Sequence, residues 1–186
     1  MRFLIFSRQW AEDKGIIDAN CIQTHIWIGI HDPGKPPANL PPNRFRLATL
    51  FLSFDDADKP GVNAYTHQPI TPISKEQGQR IVNFVIKWKD KIDLICINCE
   101  AGISRSAAVA FSLSMLLNGN DSGILGDSDY APNCTVKDAI LNSGKPLATS
   151  NTPVWYWSRW EEQQPEQNIS SDNIFQENEI REQKDG

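Results

Sequence analysis

Between Leu94 and Leu117 a short apolar run, Leu94-Ile95-Cys96-Ile97-Asn98, passes through a polar loop into an alanine-rich segment, Ala107 to Leu117, that is apolar on nearly every side. A helix without a polar face has to be enclosed by the rest of the chain, and an apolar run this short reads as a strand covered on both faces. The pair therefore lies at the centre of whatever forms. The helical segment is 11 residues long and carries Ser112 and Ser114. It is too short to cross a bilayer, which takes about 20 apolar residues. Asn118-Gly119 supplies its C-terminal cap.

Three further apolar runs, Arg2 to Phe6, His25 to Ile30 and Leu47 to Phe54, read as buried strands. Between the third and fourth runs Ile81, Phe84, Val85 and Trp88 repeat with helical spacing, behind a capping box of Ser74 and Gln77. Strands alternating with helices predict an α/β domain, a central, largely parallel sheet of about four to five strands flanked by helices. Residues 57–73, with Pro60, Gly61, Pro69 and Pro72, read as extra loop, and so do residues 118–135 ahead of a helix over Val136 to Leu141. Thr152 and Pro153 open a final helix as N-cap and first residue. Its Trp155, Tyr156, Trp157 and Trp160 are expected in the core.

At 186 residues and 40% hydrophobic content the chain is long enough for one domain with a substantial core. The net charge of −5 argues against nucleic acid or an anionic membrane as the main partner. From Glu161 onward eight acidic residues face only Arg181 and Lys184, so this stretch carries −6 and residues 1–160 carry +1. The expected organisation is a catalytic domain over residues 1–164 and an acidic, disordered tail over 165–186, too poor in apolar residues to offset its ordering entropy. Phe3-Leu4-Ile5-Phe6 is far shorter than a secretory h-region, and a cytosolic location is expected. Cys96 and Cys99 form a CxxC pair with no second Cys/His pair nearby, and His25, His31 and His67 show no metal-ligand spacing. Neither metal nor cofactor is expected. Cys96 reads as a small core residue.

The chemistry is concentrated in Cys99-Glu100-Ala101-Gly102-Ile103-Ser104-Arg105-Ser106, set between the buried strand and the buried helix. A loop there presents successive backbone N–H groups beside a helix N-terminus, an anion site. Gly102 permits the tight path, and the planar guanidinium of Arg105 holds two oxygens of a phosphate. In that positive field Cys99 is favoured as a thiolate and becomes a nucleophile. Attack on a phosphate ester would give a cysteinyl-phosphate that water then hydrolyses.

Cys-x5-Arg-Ser after a buried strand resembles the signature loop of the cysteine-dependent protein tyrosine phosphatases, most closely their dual-specificity branch. The resemblance continues in Thr24 to Pro33, in Leu52-Ser53-Phe54-Asp55-Asp56 and in the helix at 74–88, over about residues 1–160. It implies Cys99 as nucleophile, Arg105 and the loop Glu100 to Ser104 as phosphate binders, Ser106 as the hydroxyl assisting breakdown of the phospho-enzyme, and an upstream Asp as general acid. Asp56, at the end of the third strand, is favoured over Asp58 and then Asp55. Where the family has a His before the nucleophile, this chain has Asn98.

The function expected is hydrolysis of phosphate monoesters, phosphotyrosine first and phosphoserine or phosphothreonine beside it, with a phosphorylated protein or small phosphoester as partner. A pseudophosphatase that binds phosphorylated partners without turnover is the alternative that Asn98 keeps open. Sulfur transfer or arsenate reduction fits less well: low-molecular-weight phosphatases and arsenate reductases place the loop after the first strand near the N-terminus, and here Cys99 follows the fourth.

Overall fold

The computed structural model describes residues 1–144. The expected final helix with its aromatic residues, and the acidic tail, lie outside the described residues. The strands β1 (Arg2–Phe6), β2 (His25–His31) and β3 (Arg46–Ser53) precede a small antiparallel hairpin of β4 (Gly61–Val62) and β5 (Pro69–Ile70), and β6 (Leu94–Asn98) follows it. The four longer strands make one all-parallel sheet in the order β1-β6-β2-β3, with Trp27 opposite Cys96 and Gly29 opposite Asn98. This is the expected α/β architecture, a four-stranded parallel sheet with helices against it.

Two short helices, α1 (Arg8–Glu12) and α2 (Lys14–Asn20), follow β1 where no element was expected. Both are started by side chains: Ser7 accepts from the N–H of Trp10, and Asp13 from the N–H of Ile16. They bring Ala11, Ile17 and Cys21 against Phe6, Trp27, Leu94 and Cys96 on one sheet face, where the Phe6 and Trp27 rings stack at 5.3 Å. Strand alternation turns Ile95 and Ile97 to the other face.

The helix α3 (Lys75–Trp88) begins at the expected capping box, in which Ser74 and Gln77 each accept from the other's backbone N–H. The helix α4 (Arg105–Asn118) is buried along almost its whole length and ends on Gly119 in the left-handed conformation, φ 74°. It starts two residues earlier than expected, so Arg105 and Ser106 belong to its first turn. It packs against β1 and β6 and against α5 (Cys134–Leu141). The extra loop 57–73 contains the β4–β5 hairpin, and the loop after α4 holds a single 3₁₀ turn at Ile124–Gly126. Among the described residues no helix is long and apolar enough to cross a membrane.

Candidate active site

The loop between β6 and α4 is fixed by Gly102. Its φ is +79°, and a Cβ there would lie 2.7 Å from the Ser7 nitrogen, so both conformation and space demand glycine. Arg8 N–H donates to the Glu100 carbonyl at 3.0 Å, which ties the loop to the end of β1. With that path set, Gly102 N–H donates to Cys99 Sγ at 3.3 Å, and Ser106 Oγ lies 3.1 Å from the same sulfur. Cys99 is buried at the mouth of α4.

Arg105 is 4% exposed. One terminal nitrogen donates to the Phe54 carbonyl and forms an ion pair with Asp32 Oδ1, each at 2.8 Å, while its buried Nε has no hydrogen-bond partner among the described residues. Asp56 Oδ2 stands 3.8 Å from that Nε. The other Asp56 oxygen accepts from Ser104 Oγ at 2.8 Å and from Asn133 Nδ2 at 3.0 Å. Of the three candidate acids, Asp56 alone touches the loop. Asp55 is turned to the hairpin, where its carboxylate accepts from the Thr71 N–H at 2.6 Å. The Asp58 carboxylate lies 3.2 Å from Thr135 Oγ1 on α5. The expectation put Asp56 at the end of the third strand; β3 ends at Ser53, and hydrogen bonds from Ser104 and Asn133 hold the Asp56 carboxylate against the loop.

Sequence reasoning assigned nothing to Asp32 or Asn133. Asp32 follows β2 and joins Arg105 to Lys35, whose Nζ is 2.8 Å away. Burial pushes its carboxyl up, but hydrogen bonds and charge from Lys35 and Arg105 outweigh burial and hold it below the ordinary Asp value. The available signal was its position at the carboxyl end of a parallel strand. Asn133, the N-cap of α5, uses its Oδ1 on the N–H of Val136 and its Nδ2 on Asp56, and no local pattern announces the second role. Asn98 turns its Oδ1 to the buried indole N–H of Trp27 at 2.7 Å.

Beside the loop, on the β1–α1 side, lies a groove of about 620 Å³ with Trp10, Ile103 and Tyr130 on its walls. Trp10 and Ile103 are both exposed.

No protein-family model and no curated protein sequence matches the chain. Solved structures similar to it include DUSP15, at 18% identity and a TM-score of 0.49 over 89% of this chain and 94% of that one. Human DUSP28 is similar at 15% identity and a TM-score of 0.36, over 86% of each chain. Tk-PTP in its active form is similar at 13% identity and a TM-score of 0.36, over 87% of this chain and 91% of the other. These structural neighbours are dual-specificity phosphatases.

Proposed function

We propose that this chain is a phosphatase that hydrolyses phosphate monoesters through a cysteinyl-phosphate on Cys99. The observation that carries the reading is the meeting, at one helix N-terminus, of a cysteine sulfur facing a backbone N–H and a serine hydroxyl with an arginine whose buried Nε has no hydrogen-bond partner among the described residues. An incoming phosphoryl group supplies the acceptor that Nε lacks, and the loop N–H groups and the α4 dipole hold its remaining charge.

The Cys99 thiolate attacks phosphorus, forming the S–P bond as the ester P–O bond breaks. Asp56, protonated for this step, delivers its proton to the departing oxygen. Water then attacks the phosphoryl group, gives a proton to the Asp56 carboxylate and displaces the thiolate, so that inorganic phosphate leaves and the enzyme returns to its starting state. Ser106 Oγ donates to the sulfur as negative charge returns to it. Phosphotyrosine is the preferred substrate class, because the exposed Trp10 and Ile103 offer an apolar rim to an aryl ring, with phosphoserine and phosphothreonine as secondary substrates.

One arrangement favours weak turnover as the second reading. Arg105 already bonds Asp32 and faces Asp56, so an entering phosphate meets two carboxylates. Hydrolysis of p-nitrophenyl phosphate by the full chain in a chelator decides between the two. Cys99→Ser should abolish turnover and keep phosphate binding, since the backbone cradle and Arg105 stay in place. Residual hydrolysis near the wild-type rate would sink the covalent mechanism, and wild-type binding without hydrolysis would establish the second reading.

A further inference from the structure

On the sheet face away from α4, three donor side chains that are distant in sequence converge inside the α1–α2 core. Cys21 closes α2, His25 opens β2 and Cys96 lies in the middle of β6, all fully buried, with their ligand atoms within 4.8 Å of one another. We propose that Cys21, His25 and Cys96 form a binding site for one thiophilic divalent cation of the zinc class.

The geometry supports this in two independent ways. The two sulfurs are 3.6 Å apart. Two thiolates on one tetrahedral zinc, with Zn–S bonds of about 2.3 Å, are about 3.8 Å apart, so the pair needs little movement to share an ion. His25 supplies the second observation. Its Nδ1 lies 2.8 Å from the Gln23 carbonyl, which only accepts, so Nδ1 carries the hydrogen and Nε2 keeps its lone pair. That Nε2 is buried and has no hydrogen-bond partner among the described residues. A ring nitrogen held to a backbone carbonyl with the other one bare is how metal-binding histidines are oriented.

The charges also balance. Loading a divalent cation expels the two thiol protons to solvent, and two thiolates then neutralise it. Arg46, whose charge acts on both sulfurs, has a buried terminal nitrogen with no hydrogen-bond partner among the described residues. A bound ion would fasten the end of α2 to the centre of the sheet. With Cys21 and Cys96 separated by 75 residues, no spacing motif reveals the site.

Metal analysis of the full chain tests the proposal. Protein from zinc-supplemented cells should carry about one zinc per chain, and protein refolded with Co²⁺ should show thiolate-to-cobalt charge-transfer absorption. Cys96→Ser and His25→Gln should each lower metal affinity by about tenfold or more. Should either variant fail to fold, the cobalt spectrum of the refolded wild type still decides. Natively folded wild type with essentially no zinc, and no charge-transfer band after refolding with Co²⁺, would overturn the site and leave a buried water as the partner of His25 Nε2. Zinc retained undiminished by well-folded Cys96→Ser would overturn it too, by placing the metal elsewhere.

Discussion

Asp32 and Asp56 compete for one guanidinium, and their geometry separates their roles. Asp32 is within hydrogen-bond distance of Arg105 and also pairs with Lys35, so its charge is spent on holding the arginine. Asp56 is 3.8 Å from Arg105 and is held through Oδ1 by two neutral donors, Ser104 and Asn133, so its Oδ2 is the oxygen turned to the arginine and the phosphate site. Asp56→Asn should therefore slow substrates with poor leaving groups far more than nitrophenyl esters, because protonation of the leaving oxygen contributes roughly 10²–10⁴-fold. Asp58→Asn should leave that dependence unchanged; a steeper dependence there, with none in Asp56→Asn, would move the acid two residues along. For Asp32 the readout is stability against pH. Its folded pKa is lowered, so the stabilisation is fully present above its unfolded value of about 3.9 and is lost as pH falls through the folded value. Asp32→Asn should be less stable than wild type at neutral pH, with the two denaturation curves converging in acid. A gap that stays constant from neutral pH to strong acid would show that the Asp32 charge does not stabilise the fold.

The helix packing makes its own demand at Gly78. In a free helix, replacing glycine by alanine is stabilising by roughly 0.5–1 kcal/mol. A Cβ at Gly78, however, would lie 2.4 Å from the carbonyl oxygen of Ala139 on α5, and backbone cannot swing aside as a side-chain tip can. Gly78→Ala should therefore destabilise by about 1–3 kcal/mol, seen as a lower denaturant midpoint; a raised midpoint would mean that α3 and α5 are not in this contact. The elements that were legible in the sequence are those with local signals, such as the Ser74–Gln77 box of α3 and the Gly119 cap of α4. The helices α1 and α2 were not, because 5 and 7 residues are too few to show a period, although Ser7 and Asp13 stood at their starts as caps. The same distinction runs through the site. Cys99 to Ser106 is one contiguous segment and could be read directly, whereas Asp32, Asn133 and, away from the site, the Cys21–His25–Cys96 cluster depend on which strands and helices become neighbours. The Trp27–Asn98 bond is of this second kind, an acceptor matched to a donor 71 residues away.

Across the whole molecule, the candidate site collects the carboxyl ends of all four parallel strands: Ser7 after β1, Asp32 after β2, Phe54 to Asp56 after β3 and Cys99 after β6. A ligand at that edge of an α/β sheet touches segments that only the complete fold brings together. Unfolding separates all four, so an oxyanion that binds there stabilises the native state and has no comparable site in the unfolded chain. At a concentration of 100 Kd such linkage is worth about 2.7 kcal/mol. For a domain of this size each kcal/mol moves the melting temperature by about 2–4 °C. Inorganic phosphate should thus raise Tm by roughly 5–10 °C at that saturation, and chloride at equal ionic strength should not. Arg105→Lys keeps the positive charge but loses the planar fork, so its phosphate-dependent rise should be much smaller than that of wild type. An equal rise in both proteins would place the anion away from Arg105. If phosphate does no more than chloride in the wild type, the ends of these strands do not form an anion site, and the proposed phosphatase chemistry loses its binding step.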